Sequence, residues 1–136
     1  MQRILLNVDV PDLEAAVAFY TAGLGCELLR TLFARSVAEL TLGESAIYLI
    51  ERPAGTRAFP GGHAHRVYER HWTPVHIDVV VDDIETAAAK ALAAGARRSG
   101  DQTSHPWGRL MPLSDPFGHG LCLLQFSAAG YEAVAD

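Results

Sequence analysis

Cysteine is scarce in this chain, and long apolar runs and blocks of positive charge are missing altogether. Cys26 and Cys122 stand alone, with no second thiol at metal-binding spacing, which argues against a disulfide scaffold and leaves both free in a reducing compartment. No apolar stretch approaches the ~18 residues of a membrane-spanning helix, so no membrane partner is expected. The run Met1-Gln2-Arg3-Ile4-Leu5-Leu6 is too short for a signal-peptide core, and the expected location is the cytoplasm. Sixteen acidic residues outnumber eleven basic ones for a net charge of −5. No Lys/Arg cluster is present to neutralise a phosphate backbone, so nucleic acid is not an expected partner. With 49% hydrophobic and 20% charged residues over 136 positions, the composition is that of one globular domain able to bury a core.

What the chain does have is a repeat. Leu6-Asn7-Val8-Asp9-Val10-Pro11-Asp12-Leu13-Glu14 returns as Ile77-Asp78-Val79-Val80-Val81-Asp82-Asp83-Ile84-Glu85, with Val8, Val10, Asp12, Glu14 and Ala16 matched by Val79, Val81, Asp83, Glu85 and Ala87. A strand followed by a helix has been duplicated. In the first copy Ile4, Leu6, Val8 and Val10 alternate with Arg3, Leu5, Asn7 and Asp9, the period of a strand with one apolar face. Asp12 is a suitable N-cap, and Leu13, Ala16, Val17, Tyr20 and Leu24 follow at helical spacing until Gly23 and Gly25. Residues 27–33, 36–42 and 46–51 read as short strands, the last two joined by a turn at Leu42-Gly43-Glu44-Ser45.

Residues 52–71, broken by Pro53, Gly55, Pro60, Gly61 and Gly62, read as a linker between a first unit of about 3–51 and a second of about 72–127. There Val75, Ile77, Val79 and Val81 alternate with His76, Asp78, Val80 and Asp82, and Ile84, Ala87, Ala88, Ala91 and Leu92 make a helix ending at Gly95. Strands are expected near 96–99, 107–113 and 121–126, with Asp115-Pro116-Phe117-Gly118 as a turn and 128–136 as a short peripheral tail. Four strands and one helix leave a sheet face open, so two copies, or two chains, must share a core. The apolar residues should lie under the helices, with Arg3, Leu5, Asn7, Asp9, His76, Asp78 and Asp82 on an opposite, concave face.

This duplicated β-α-β-β-β pattern, with Val10-Pro11-Asp12-Leu13 through Phe19-Tyr20 and Leu24-Gly25, His76 through Ile84, and Asp115 through Leu123, resembles the vicinal oxygen chelate superfamily of glyoxalase I, extradiol dioxygenases and the bleomycin and fosfomycin resistance proteins. The resemblance runs from about residue 3 to residue 127. It implies an α+β fold of two tandem units pairing into a glyoxalase-like incomplete barrel with helices outside, and the expected assembly is a homodimer. Members isomerise, cleave rings, epimerise or add thiols at a divalent metal, while others sequester a drug. Their metal ligands, usually His and Glu, come from the first and last strand of each unit, and strand-to-strand matching places Leu5, Tyr48, His76 and Cys122 there. Leu5 has no donor atom, a neutral Tyr48 phenol is a poor ligand near pH 7, and His76 with Cys122 falls short of the three ligands a catalytic zinc keeps. No cofactor and no family-type metal are therefore expected.

His76 and Asp78, two apart on one strand face, are the candidate catalytic pair, with His76 as a general base. Asn7, Tyr48, His76, Asp78, Trp107, Arg109 and Cys122 are the candidate ligand-binding residues. By the family's strand order Cys122 neighbours His76, where imidazole could activate its thiol, although a small buried hydrophobe is the plainer reading. Trp107, Arg109 and Met111 share a strand face that could stack on and pair with an anionic or aromatic ligand, against the plainer reading of a core Trp107 and a solvated Arg109. His63, His65 and His71 read as solvated loop residues, His105 and His119 as residues flanking turns, and Gly118 and Gly120 as serving turn geometry. The leading expectation is binding of a small organic molecule, with or without metal-free acid/base chemistry. Its rivals are a divalent-metal lyase or dioxygenase with atypical ligands, drawn from Cys122, Asp78 or the histidines of residues 63–71, and a non-catalytic dimeric interaction module.

Overall fold

In the computed structural model, which describes residues 1–136, the first strand is β1 (Leu6–Val10), and Asp12 ends it as the cap of helix α1 (Leu13–Ala22). The Asp12 carboxylate accepts from Ala15 N at 2.9 Å, satisfying one of the amides that a helix start leaves open. Strands β2 (Glu27–Leu32), β3 (Val37–Leu42) and β4 (Ser45–Glu51) follow. The sheet runs β1-β4-β3-β2, with β1 parallel to β4 and the other pairs antiparallel. Helix α1 packs on β2, β3 and β4, burying Leu13, Ala16, Phe19 and Tyr20 against Val8, Val10, Ala38, Leu40, Ile47 and Leu49.

The second half repeats the plan with β5 (Ile77–Val80), α2 (Ile84–Ala93), β6 (Arg97–Arg98), β7 (Thr103–His105), β8 (Gly108–Ser114) and β9 (Gly120–Phe126). Its sheet runs β5-β9-β8-β6, with β7 also paired to β8, and β5 lies parallel to β9. Helix α2 packs on β8 and β9. Both halves are thus βαβββ-like modules with mixed sheets, the α+β class expected. The chain divides into two compact units, Met1–Glu69 and Arg70–Asp136. Most of the segment read as a linker belongs to the first unit, where Arg66 gathers it by donating to the carbonyls of Arg57 and Ala58 and to Asp9 Oδ2.

Each helix start is secured twice. Glu51, the last residue of β4, accepts from Leu13 N at 2.8 Å, and Gln125 of β9 accepts from Ile84 N at the same distance. Asp83 repeats the role of Asp12 by accepting from Thr86 N at 3.0 Å. The last strand of each unit therefore holds the beginning of that unit's helix, a pairing across the fold that spacing along the chain does not display.

The strand ends differ from the sequence expectation. Ile4 is 92% exposed and Val75 66% exposed, although both continue the apolar alternation. Pairing begins only at Leu6 with Ile47 and at Ile77 with Leu121, so the preceding residues have no neighbouring strand to seat them. His76 consequently lies just before β5 and Trp107 just before β8. The polar strand β7 was not expected, because Thr103-Ser104-His105 shows no apolar alternation; it exists by pairing with β8. The tail forms a 3-10 turn at Gly130–Val134, whose Tyr131 ring lies 4.8 Å from that of Phe126 and 5.6 Å from that of Trp107.

Candidate functional site

Side chains alternate across a strand, so the register assigns each candidate to a face. In the second unit Asp78 pairs with Cys122, and Cys122 with Pro112, on the face turned away from α2. His76 precedes Asp78 by two residues, and its Nε2 lies 3.1 Å from Asp78 Oδ1. One donor atom from each of His76, Asp78 and Cys122 lies within 4.8 Å of the other two. The strand order explains the gathering, because β9 is the direct neighbour of β5.

Asp78 sits between the other two. Burial is the main cause that raises the Cys122 thiol above its ordinary 9.0, followed by the charge of Asp78 and a hydrogen bond to it, while Arg70 pulls the other way. The thiol is thus protonated near neutral pH and donates to Asp78; it is not an imidazole-activated nucleophile in this arrangement. A hydrogen bond between His76 Nε2 and Asp78 leaves Nδ1 as the ring's other polar atom.

Arg109 and Trp107 stand apart from this group. Arg109 pairs with Gln125 in the β8–β9 register, on the α2 side of the sheet, opposite the face of Asp78 and Cys122. Its guanidinium donates to both Glu85 oxygens and, at 2.8 Å, to Gln125 Oε1, so it braces the N-terminus of α2. Met111 shares that face and is buried beneath the helix. Trp107 stacks on His105 at 4.9 Å with nearly parallel rings and joins Phe126 and Tyr131. His119 is more than a turn-flanking residue: its Nδ1 lies 2.7 Å from Asp115 Oδ2, and the buried Asp115 also accepts from Phe117 N and His119 N, closing the turn before β9.

In the first unit, Asn7, Tyr48 and Glu39 are cross-strand partners on the face turned away from α1. Glu39 was overlooked by sequence reasoning. It is 7% exposed, accepts from the Tyr48 hydroxyl at 2.8 Å, and pairs with Arg30 on β2. The Arg30 hydrogen bond, then that of Tyr48, holds the Glu39 carboxyl below its ordinary value. Tyr48 is raised above 10.0, chiefly by its bond to Glu39, and so acts as a neutral donor. The available signal was a single acid at the centre of the apolar run Val37-Ala38-Glu39-Leu40. A lone charge in such a run is retained only where it is paired.

The model of the family described as Glyoxalase-like domain matches residues 5–124. The chain belongs to that family. Solved structures repeat the glyoxalase-like fold over nearly the whole chain. A hypothetical protein from S. aureus is 22% identical, with a TM-score of 0.69 covering 92% of this chain and 97% of that one. A glyoxalase-related enzyme from Fulvimarina pelagi is 15% identical at a TM-score of 0.70, covering 95% and 94%. The fosfomycin resistance protein FosX from Listeria monocytogenes is 16% identical at 0.69, covering 94% and 95%. Identities this low show the fold alone. Among curated proteins none matches significantly in sequence.

Membership in the glyoxalase-like family raises the question of a metal. The positions matched from the family pattern do not form a four-ligand centre here, because Leu5 offers no donor and the Tyr48 hydroxyl is committed to Glu39. The three donors His76, Asp78 and Cys122 do fit a divalent ion by type, being the nitrogen, oxygen and sulfur ligands that zinc accepts. No helix of this glyoxalase-like chain is long and apolar enough to cross a membrane.

Proposed function

We propose that this glyoxalase-like protein binds a small organic molecule at the His76, Asp78 and Cys122 face of its second unit, without the family's four-ligand metal centre. The observation that carries the reading is the Asp78 carboxylate placed between an imidazole at 3.1 Å and a half-buried thiol on an open sheet face. Partly exposed polar groups gathered around one carboxylate supply directional hydrogen bonds, and the exposed apolar Val80 on the same face supplies contact area. His76 Nδ1 is the base available to a bound molecule, with Asp78 holding the ring through Nε2. In the first unit the exposed Asn7 is the polar group available to the same kind of ligand, since the Tyr48–Glu39–Arg30 chain is paired within itself. The metal-dependent rival is favoured by one observation, the proximity of three donors, and is developed below.

Fosfomycin and bleomycin, named for structural neighbours, and a panel of small carboxylates and aldehydes are suitable probes. The expected result is a melting-temperature rise of several degrees with at least one of them at a concentration well above its Kd, lost in both His76→Ala and Asp78→Ala. A wild-type protein indifferent to every probe, or a shift that survives both substitutions, would count against the reading. A second copy of the chain is the proposed protein partner, supported by Leu28, Leu29 and Phe33, which edge strand β2 and its turn leave exposed at 46%, 60% and 78%. A monomer mass by light scattering at micromolar concentration would remove it.

A further inference from the structure

Sequence matching leaves two ligand-type residues, one short of the minimum for a zinc that keeps an open position. The fold supplies the third. Asp78 is not a position at which the resemblance places a ligand, yet its pairing with Cys122 on a parallel neighbouring strand puts carboxylate and thiol side by side, and His76 reaches the same carboxylate. We propose that His76, Asp78 and Cys122 form a three-donor site for a thiophilic divalent ion of the zinc type, contained wholly within the second unit.

Geometry, charge and donor type point the same way. Ligand atoms around a tetrahedral ion at bond lengths of 2.0–2.3 Å stand roughly 3.3–3.8 Å apart, so a group already within 4.8 Å closes by side-chain rotation alone. The two residues that must turn are the free ones: the side chains of His76 and Asp78 are 57% and 38% exposed, while Cys122 is half-buried on β9. A thiolate and a carboxylate neutralise a dication, which lowers the cost of removing the thiol proton. The sulfur donor selects zinc or cobalt over magnesium, calcium and manganese, which take oxygen ligands.

Arg70 adds a chemical class for the fourth ligand. A Cβ built on Gly120, two residues before Cys122 and on its face, would stand 3.0 Å from the Arg70 guanidinium, so that cation lies over the strand end beside the site. Once the ion is neutralised by its protein ligands, the remaining positive charge of Arg70 favours an anionic ligand at the open position, a small carboxylate or other oxyanion. This rests on the proposed binding face and names the ion and ligand class it takes. The ion test below uses no organic ligand, so the two readings fail separately.

Metal-stripped, untagged full-length protein is titrated with Co(II). The expected result is one cobalt per chain, with visible ligand-field bands of tetrahedral strength, a sulfur-to-cobalt charge-transfer band, and loss of both on adding zinc. Cys122→Ser removes the charge-transfer band, Cys26→Ala leaves it, and Asp78→Asn and His76→Ala each weaken cobalt binding at least tenfold. In wild-type protein, zinc also protects Cys122 from iodoacetamide, read by peptide mass spectrometry, which keeps the test valid if a variant does not fold. Magnesium and manganese give no protection. A charge-transfer band that persists in Cys122→Ser, cobalt binding unaffected by Asp78→Asn, or a Cys122 alkylated equally with and without zinc would each overturn the site. Acetate or phosphate altering the cobalt spectrum of wild-type but not of Arg70→Ala supports the anionic fourth ligand; identical responses overturn that part.

Discussion

Glu39 shows how a buried charge is retained. Its carboxylate lies in the middle of β3, where desolvation would raise it, but Arg30 and Tyr48 occupy its two oxygens and hold it ionised. A folded-state value depressed below the unfolded one contributes stability that is fully present above the unfolded value and is lost as pH falls through the folded value. Glu39→Gln is therefore expected to melt at a lower temperature than wild type at neutral pH, and the difference should shrink as pH drops below 4.5, the ordinary value for this group. Asp83, lowered chiefly by the Thr86 amide, contributes acid sensitivity common to both proteins. Melting curves across pH 3–7 on the two proteins would refute this if the gap stayed constant. Cys26 illustrates the opposite case: burial alone pushes its thiol up to about 11, which keeps it protonated and unreactive at neutral pH.

At the scale of elements, the two helices are short and each is held at its start by a local Asp and by the final residues of its unit's last strand. A capping side chain that satisfies a helix amide contributes about 1 kcal/mol, so Glu51→Ala and Gln125→Ala should each lower unfolding free energy by roughly that amount in a urea titration, with the m-value unchanged. Gln125→Ala also removes a partner of Arg109 and should cost more than Glu51→Ala. Equal stability to wild type in both variants would mean that the strand-to-helix bonds contribute nothing. Gly108 marks another point of close approach, where a Cβ would meet Gln125 O at 2.2 Å, so the start of β8 can pair with β9 only as glycine.

At the scale of the whole molecule, the duplication gives two units of the same plan but unequal surface chemistry. The first unit's open face is committed to an internal Arg30–Glu39–Tyr48 chain, and the second unit's presents His76, Asp78 and Cys122. If self-association uses the exposed edge at β2, placing a charge at Leu29, as in Leu29→Glu, shifts the light-scattering mass towards the monomer, since burying an unpaired charge is costly. An unchanged dimer mass would place that interface elsewhere.

Local patterns determined a good deal of this protein. Alternation of Val8 and Val10, and of Ile77 and Val79, marked the strands; Asp12 and Asp83 marked the helix starts; and Gly43 and Asp115 marked turns, because each signal lies within a few residues of what it specifies. The pairing of His76 with Asp78 was legible for the same reason. Tertiary structure decided where strands end, since Ile4 and Val75 carry the right pattern but have no partner strand. It also decided which side of β8 lies under α2, which turned Arg109 into a brace for the helix. Glu39 found Arg30 and Tyr48 through sheet register, and Cys122 joined Asp78 because β5 and β9 are neighbours. Contacts between residues far apart in the chain depend on strand order and register, which no short stretch of sequence contains.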